Sequence, residues 1–227
     1  MKIWTHRGNP SPENTIEAFS KAWDDGIRFF ETDIHCTKDG VLVLAHDPDI
    51  ARLTTKQSKI SELTYEELIQ FKIHGRWSWA TLDQIYETFP QATISIDIKS
   101  DHALDPFIAW AEGKDLSNLV VGSFSSRRTV AFRQAYPGSR TALTSTEIMA
   151  INLGLRWILR STPESIVAMV PIQFKGIPVL TKRFRNFCAS REIEINVWTV
   201  NNPAEVERLK RLGVVGVVTD NYSAFIK

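Results

Sequence analysis

Arg28-Phe-Phe-Glu-Thr-Asp-Ile-His35 runs through Thr37-Lys-Asp-Gly40 into Val41-Leu-Val-Leu-Ala-His46-Asp47. The stretch reads as strand, tight turn, strand. Side chains alternate faces along a strand, so Glu31 and Asp33 point to the same side. Two carboxylates on one buried face repel each other unless something positive lies between them. A divalent cation with oxygen ligands is the economical solution. The alternative is an exposed polar edge with salt-bridge partners elsewhere.

Upstream, Lys2 to Thr5 is a short β-rich run that ends at His6-Arg7-Gly8. Asn14 reads as an N-cap with Glu17 completing a capping-box pair. Ile16, Phe19, Ala22 and Trp23 follow at helical spacing up to a stop at Gly26. Downstream, residues 48–80 are irregular, with one helical piece from Thr64 to Phe71. A helix from Leu82 to Phe89 precedes a strand from Thr93 to Lys99. Further strands are expected at Leu119 to Phe124, Arg140 to Leu143, Glu194 to Val200 and Val214 to Thr219. Helices are expected after Ser125, over Thr181 to Arg191, and from Pro203 to Gly213. In residues 145–178 a strand falls at Ile166 to Val170 or at Ile172 to Phe174.

Strands that alternate with helices argue a parallel sheet. About eight such units fit the length, so the expected fold is a (β/α)8 barrel with a small irregular insertion after the third strand. Residues 1–227 form one domain on this view, with 48–80 over the barrel mouth. An open doubly wound sheet is the second choice, but no Gly-x-Gly-x-x-Gly turn follows any strand.

The chain has 227 residues, with 27 Lys plus Arg against 26 Asp plus Glu. That balance says nothing about a polyanionic partner, and no nucleic-acid partner is expected. The basic cluster Lys182, Arg183, Arg185 and Arg191 lacks aromatic interleaving and reads as a solvated helix face. Cys36 and Cys188 read as reduced, buried thiols. No apolar run has the length of a membrane span, and the N-terminus lacks an apolar signal region. The expectation is a cytoplasmic protein without stable membrane association. Arg76-Trp77-Ser78-Trp79 is the best contrary feature, an aromatic pair beside a cation. Packing of that segment onto the barrel is the simpler explanation.

The chemistry-bearing residues share one location. His6 ends the first strand, Glu31 and Asp33 the second, His46 the third, Asp97 and Lys99 the fourth. In a parallel barrel the C-terminal strand ends meet on one face, where active sites sit. On the fourth strand Ile94, Ile96 and Ile98 take one face, while Ser95, Asp97 and Lys99 take the other, the interior. Glu31, Asp33 and Asp97 form a hard-cation site for Mg²⁺ or Ca²⁺. His6 and His46 suggest a general acid and base, because imidazole titrates near neutrality. Arg7 and Lys99 add a planar donor fork and a point charge for phosphate. Trp198 either packs in the core or lines the pocket mouth. Each residue also has a plainer role: a loop histidine, a Lys99–Asp97 pair, an Arg7 bound to a carbonyl.

His6-Arg-Gly8, Pro12-Glu-Asn-Thr15, Glu31-Thr-Asp33, Thr37-Lys-Asp-Gly40 and His46-Asp47 together resemble the signature of the glycerophosphodiester phosphodiesterase family. The likeness continues through Leu53-Thr54, Thr81-Leu82, Ile96-Asp-Ile-Lys99, Ser123-Phe124, Val197-Trp-Thr-Val-Asn201 and Gly216-Val-Val-Thr-Asp220. The joint pattern is specific where no single piece is. It implies a (β/α)8 barrel and metal-dependent cleavage of small-molecule glycerophosphodiesters to glycerol 3-phosphate and an alcohol. It implies His6 and His46 as the acid–base pair, Glu31, Asp33 and Asp97 as metal ligands, and Arg7 and Lys99 as phosphate contacts. The family pattern usually carries Glu where this chain has Asp97, which sets the carboxylate back by one methylene. Two alternatives stand beside it. One is a lysophospholipase D or sphingomyelinase-D-like activity on lipid phosphodiesters; the other is a catalytically silent barrel that binds phosphate. Neither the alcohol released nor the oligomeric state is legible.

Overall fold

The structure, a computed structural model, describes residues 1–8, 12–155 and 165–226. In chain order the first half carries β1 (Lys2–His6), α1 (Ile16–Asp24), β2 (Phe29–Cys36), β3 (Leu42–Leu44), α2 (Tyr65–Leu68), α3 (Leu82–Thr88), β4 (Thr93–Ile98) and α4 (Leu104–Ala111). The second half carries β5 (Leu119–Gly122), α5 (Ser126–Ala135), β6 (Thr141–Ala142), α6 (Ser145–Leu153), β7 (Ile166–Pro171), β8 (Gln173–Phe174), β9 (Ile177–Pro178), α7 (Lys182–Ser190), β10 (Glu194–Trp198), α8 (Val206–Arg211) and β11 (Val214–Thr219).

Eight strands, β1, β2, β4, β5, β6, β7, β10 and β11, pair in parallel and close into a ring, because β1 bonds both β2 and β11. The barrel expected from the alternating pattern is therefore present. Of the two strand candidates in residues 145–178, the first supplies the stave β7, and the second leads into the small antiparallel hairpin β8–β9.

The third strand corrects one expectation. β3 is not a stave; it runs antiparallel to the end of β2, with Ile34 opposite Leu44 and Cys36 opposite Leu42. A turn as short as Thr37–Gly40 can return only an antiparallel partner, since a parallel one needs a crossover of a dozen residues. α1 corrects another. Its N-cap is Thr15, whose hydroxyl accepts from the Ala18 N–H (3.2 Å). Asn14 instead takes a positive φ of 56° and accepts from Thr32 Oγ1 (2.8 Å). Asn tolerates that conformation better than other side chains, so the helix begins one residue later.

Two apolar layers lie outside the ring. One packs Ile94, Ile96 and Ile98 against α-helical residues such as Phe19, Phe107 and Phe132. The other packs Ile166, Ala168 and Val170 against Phe184, Phe187 and Leu209. Inside the ring a small cluster of Trp4, Val120, Val167 and Val218 fills the floor, with Phe29, Met169 and Trp198 against it. A third cluster, Val43, Ala45, Ile50, Leu53, Ile60, Leu68, Ile73 and Trp79, gives residues 48–80 a core of their own. Trp79 is buried there and donates to the Phe71 carbonyl (2.7 Å). Cys36 and Cys188 are free thiols in different layers, and burial pushes them up to about 11 and about 12. Among the described residues no helix is long and apolar enough to cross a membrane.

The interior floor leaves no room at Gly216. Trp4 Nε1 donates to Asn196 Oδ1 (3.0 Å) across the barrel. A Cβ on Gly216 would lie 2.1 Å from that oxygen and 2.9 Å from that nitrogen. Overpacking of this kind costs about 1–3 kcal/mol. Gly216→Ala should therefore lower the unfolding free energy from chemical denaturation by that amount, and an unchanged value would show that the floor yields.

Candidate active site

His6 is the last residue of β1 and stands opposite Glu31 on β2. Its Nδ1 lies 2.5 Å from Asp220 Oδ1, and Asp220 directly follows β11, the other neighbour of β1. The carboxylate accepts a hydrogen bond from Nδ1–H, which leaves Nε2 free, 3.7 Å from Glu31 Oε2. Burial acts to raise the Asp220 pKa, yet donation from Asn201 and His6 outweighs it and holds the carboxyl below its ordinary range. Beyond His6 the chain turns sharply through Arg7 (φ 56°) and Gly8 (φ 85°). A Cβ on Gly8 would come within 2.9 Å of the Ala18 Cβ, so only glycine lets this turn lie against α1.

The acids come from β2 and β4, whose register places Asp33 opposite Asp97. Lys99 Nζ stands between them, 2.7 Å from Asp33 Oδ1 and 2.6 Å from Asp97 Oδ2. Arg7 Nε approaches the other Asp33 oxygen at 3.0 Å, but out of line for a hydrogen bond. Burial lowers the Lys99 pKa, and the two aspartates more than reverse that. Glu31 is pushed well above the usual carboxylate range, first by burial and then by the charge of Asp33. Asp97 is also raised by burial, against the pull of Lys99.

Among the described residues no three His, Cys, Asp or Glu side chains already surround one point as metal ligands do. The donor chemistry nevertheless fits a hard cation. Glu31, Asp33 and Asp97 offer only oxygen, and the buried Asp33 Oδ2 and Asp97 Oδ1 form no hydrogen bond. The Lys99–Asp97 pair considered as the plainer role is also present.

His46 reaches the mouth on the hairpin arm rather than on a stave. The Ala45 N–H donates to the Asp33 carbonyl (3.0 Å), which brings the chain back beside the acids. His46 Nδ1 lies 2.7 Å from Asp47 Oδ1, the same device that holds His6. Arg52 Nε donates to Asp47 Oδ2 (2.5 Å), and its other nitrogens form a fork on the buried Glu13 (2.5 and 3.1 Å). Glu13 Oε2 is also 3.6 Å from Arg7 Nη1. His35 is buried, its pKa lowered by desolvation, with Nε2 3.3 Å from the His46 carbonyl.

Trp198 ends β10. It packs on the interior cluster and meets Phe124 edge-to-face, with ring centroids 5.7 Å apart. Lys99 Nζ is 5.4 Å from the Phe124 ring. Asp47, Asp220, Arg52, Glu13 and Phe124 carry no role that is legible from the sequence alone. Only the position of Asp220 could have been found, by the rule that singled out His6, since it follows a stave at the same end. A hollow of about 650 Å³ near Lys114, Tyr136 and Arg140 opens at the opposite end of the barrel and includes none of these residues.

The glycerophosphoryl diester phosphodiesterase family model matches residues 6–224. The chain belongs to that family. A protein of Mycobacterium tuberculosis named as a probable glycerophosphodiester phosphodiesterase 2 is 29% identical over 226 residues, covering 95% of this chain and 85% of that one. A human lysophospholipase D is 25% identical over 95% of this chain and 82% of its own. The crystal structure of a glycerophosphodiester phosphodiesterase from Thermotoga maritima superposes with a TM-score of 0.80 at 26% identity, over 100% of this chain and 97% of that one. This member of the family is accordingly a phosphoric diester hydrolase.

Glu31 has a consequence for stability. In the unfolded chain it ionises near 4.5, but the fold holds its proton to higher pH. Above 4.5 the folded state therefore binds more protons, and stability falls as pH rises toward the folded value. Glu31→Gln removes that penalty. In chelator, Tm of the variant minus Tm of the parent should grow from pH 4.5 into the neutral range. A difference that shrinks instead would mean Arg7 and Lys99 stabilise the Glu31 anion.

Proposed function

We propose that the chain hydrolyses glycerophosphodiesters to glycerol 3-phosphate and an alcohol, with His6 and His46 as the acid–base pair. The observation that carries this is the matched pair of imidazoles. Each has Nδ1 held by an aspartate, Asp220 for His6 and Asp47 for His46. Each therefore keeps Nε2 for proton transfer, and the carboxylate stabilises the imidazolium that forms. One imidazole takes the proton of the attacking oxygen; the other returns a proton to the departing alkoxide, so that the alcohol leaves neutral. Arg7 and Lys99 present fixed positive charge to the phosphate oxygens. Glu31, Asp33 and Asp97 would hold a Mg²⁺ or Ca²⁺ ion, which when bound supplies Lewis-acid stabilisation of the phosphoryl charge. Trp198 and Phe124 wall the substrate.

A second reading, cleavage of glycerophosphodiesters that still carry an acyl chain, is favoured by Phe124. Its ring is 58% exposed and lies beside Lys99, an apolar surface at an anion site. The relative named lysophospholipase D is consistent with it.

The deciding experiment is release of glycerol 3-phosphate from glycerophosphocholine and glycerophosphoethanolamine. Turnover should stop in EDTA and return with Mg²⁺ or Ca²⁺. His6→Ala and His46→Ala should each lower kcat by about a hundredfold or more. Phosphate binding without turnover on any diester would assign the chain to the silent class, and full activity after exhaustive chelation would remove the ion.

A further inference from the structure

The five most exposed large apolar side chains among the described residues are Ile177 (70%), Leu153 (62%), Phe124 (58%), Met149 (58%) and Phe174 (48%). They are not scattered. Phe124 follows β5, and Phe174 and Ile177 follow β7, so all three leave the barrel at the end where His6, Asp33 and Asp97 stand. α6 carries the other two and spans the gap. At its start Ser145 Oγ donates to the Phe124 carbonyl (3.4 Å). At its end Asn152 Nδ2 donates to the Val179 carbonyl (3.3 Å), and Asn152 Oδ1 accepts from Thr181 (2.6 Å). Met149 and Leu153 are four residues apart and share one helix face.

Phe174 and Ile177 are cross-strand partners in the hairpin β8–β9. The turn between them is Lys175 (φ 49°) and Gly176 (φ 80°), the positive-φ pair that a two-residue hairpin requires. The tip thus holds two apolar side chains around one lysine. Lys182 and Arg183 open α7 immediately after the hairpin. Arg183 donates to the Asn152 carbonyl (3.0 Å), and Lys175 lies over the Phe174 ring at 5.7 Å. Single exposed apolar residues need no explanation, but five on neighbouring elements at one end of the barrel do.

Apolar side chains set among cations match an anionic phospholipid surface. The apolar groups enter the boundary between headgroups and acyl chains, while ammonium and guanidinium groups meet lipid phosphates. We propose that Phe124, Met149, Leu153, Phe174 and Ile177, with Lys175, Lys182 and Arg183, form a rim that docks reversibly on an anionic phospholipid bilayer. A lipid surface is favoured over a protein partner because the rim is continuous with the site. Phe124 belongs to the rim and also touches Trp198 and Lys99. Docking presents the mouth to the bilayer, so that a monoacyl glycerophosphodiester enters headgroup first; this second clause rests on the proposed function, whereas docking itself does not. The rim also relocates the lipid contact considered at Trp77 and Trp79, since Trp79 is buried in the core of residues 48–80.

The test is cosedimentation with phosphatidylglycerol and phosphatidylcholine vesicles, at low and high salt. The wild type should bind phosphatidylglycerol vesicles at low salt and lose most of that binding at high salt. Phe174→Ser combined with Ile177→Ser should weaken binding about tenfold or more, and Lys175→Glu should weaken it separately. Both variants should turn over glycerophosphoethanolamine at the parental rate, which also shows that they fold. On lysophospholipid held in vesicles the double variant should be slower than the wild type. Absence of vesicle binding by the wild type, or binding undiminished in both variants, would overturn the proposal. So would self-association of the wild type that the double variant abolishes, because the rim would then face a second copy. Vesicle binding that behaves as expected, in a protein that cleaves no diester, would uphold docking and refute the proposed function.

Discussion

The site is governed by like charge held in fixed register. Closure of the ring leaves β2 no freedom to slide on β4, so Asp33 and Asp97 must face each other across the pair. Glu31 adds a third acid two residues back on the same face. Such a group is stable in a low-dielectric interior only when cations neutralise it or a member keeps its proton, as Glu31 does. The chain provides them from nearby. Lys99 lies two residues beyond Asp97, on the same face and one step nearer the mouth, and reaches both aspartates. Arg7 reaches Asp33 from the strained turn after β1. These cations are also what a phosphate ester needs to meet. On the proposed function, folding and anion binding draw on the same side chains, and a change made for one is felt by the other.

Much of this was legible because strands report it with a period of two. Ile94, Ile96 and Ile98 pack outward as their alternation requires, and Ser95, Asp97 and Lys99 face inward. The polar residues at the ends of β1, β2 and β4 fall at one end of the barrel because parallel staves share a direction. What escaped the sequence argument was chiefly pairing between distant segments. Asp220 is 214 residues from His6, and no local pattern announces that β11 closes on β1. The Glu13–Arg52 fork joins a loop before α1 to the irregular stretch after β3, and periodicity carries no information there. Strand direction at β3 was also missed, although the short turn contained it. The apolar rim escaped for a further reason: an exposed leucine in a sequence looks like a buried one, and only the fold separates them.

The two histidines arrive by different routes and receive the same treatment. His6 is placed by barrel register. His46 is placed by a hairpin that folds back onto the end of β2, and its aspartate is the next residue in the chain. In both cases a carboxylate selects the Nδ1 tautomer. The supports differ in reach, since Asp220 is braced by Asn201 and Asp47 by Arg52 and, through it, Glu13. Glu13 also stands close to Arg7, so the neighbourhoods of the two imidazoles meet at one buried carboxylate.

Because β3 is an arm and not a stave, the segment that follows it is pinned at both ends independently of what it contains. The Ala45 N–H is fixed on Asp33, and Val43 is bridged to Thr81, where α3 begins. Between those anchors the chain has its own core and adds no strand to the ring. It behaves as a cassette. Loop closure depends only logarithmically on length, so doubling such a segment costs about 0.6 kcal/mol in chain entropy. Its length can thus change while the register that aligns Asp33 with Asp97 stays untouched. Arg52 is the one residue of 48–80 named in the site, since it braces Asp47 and Glu13.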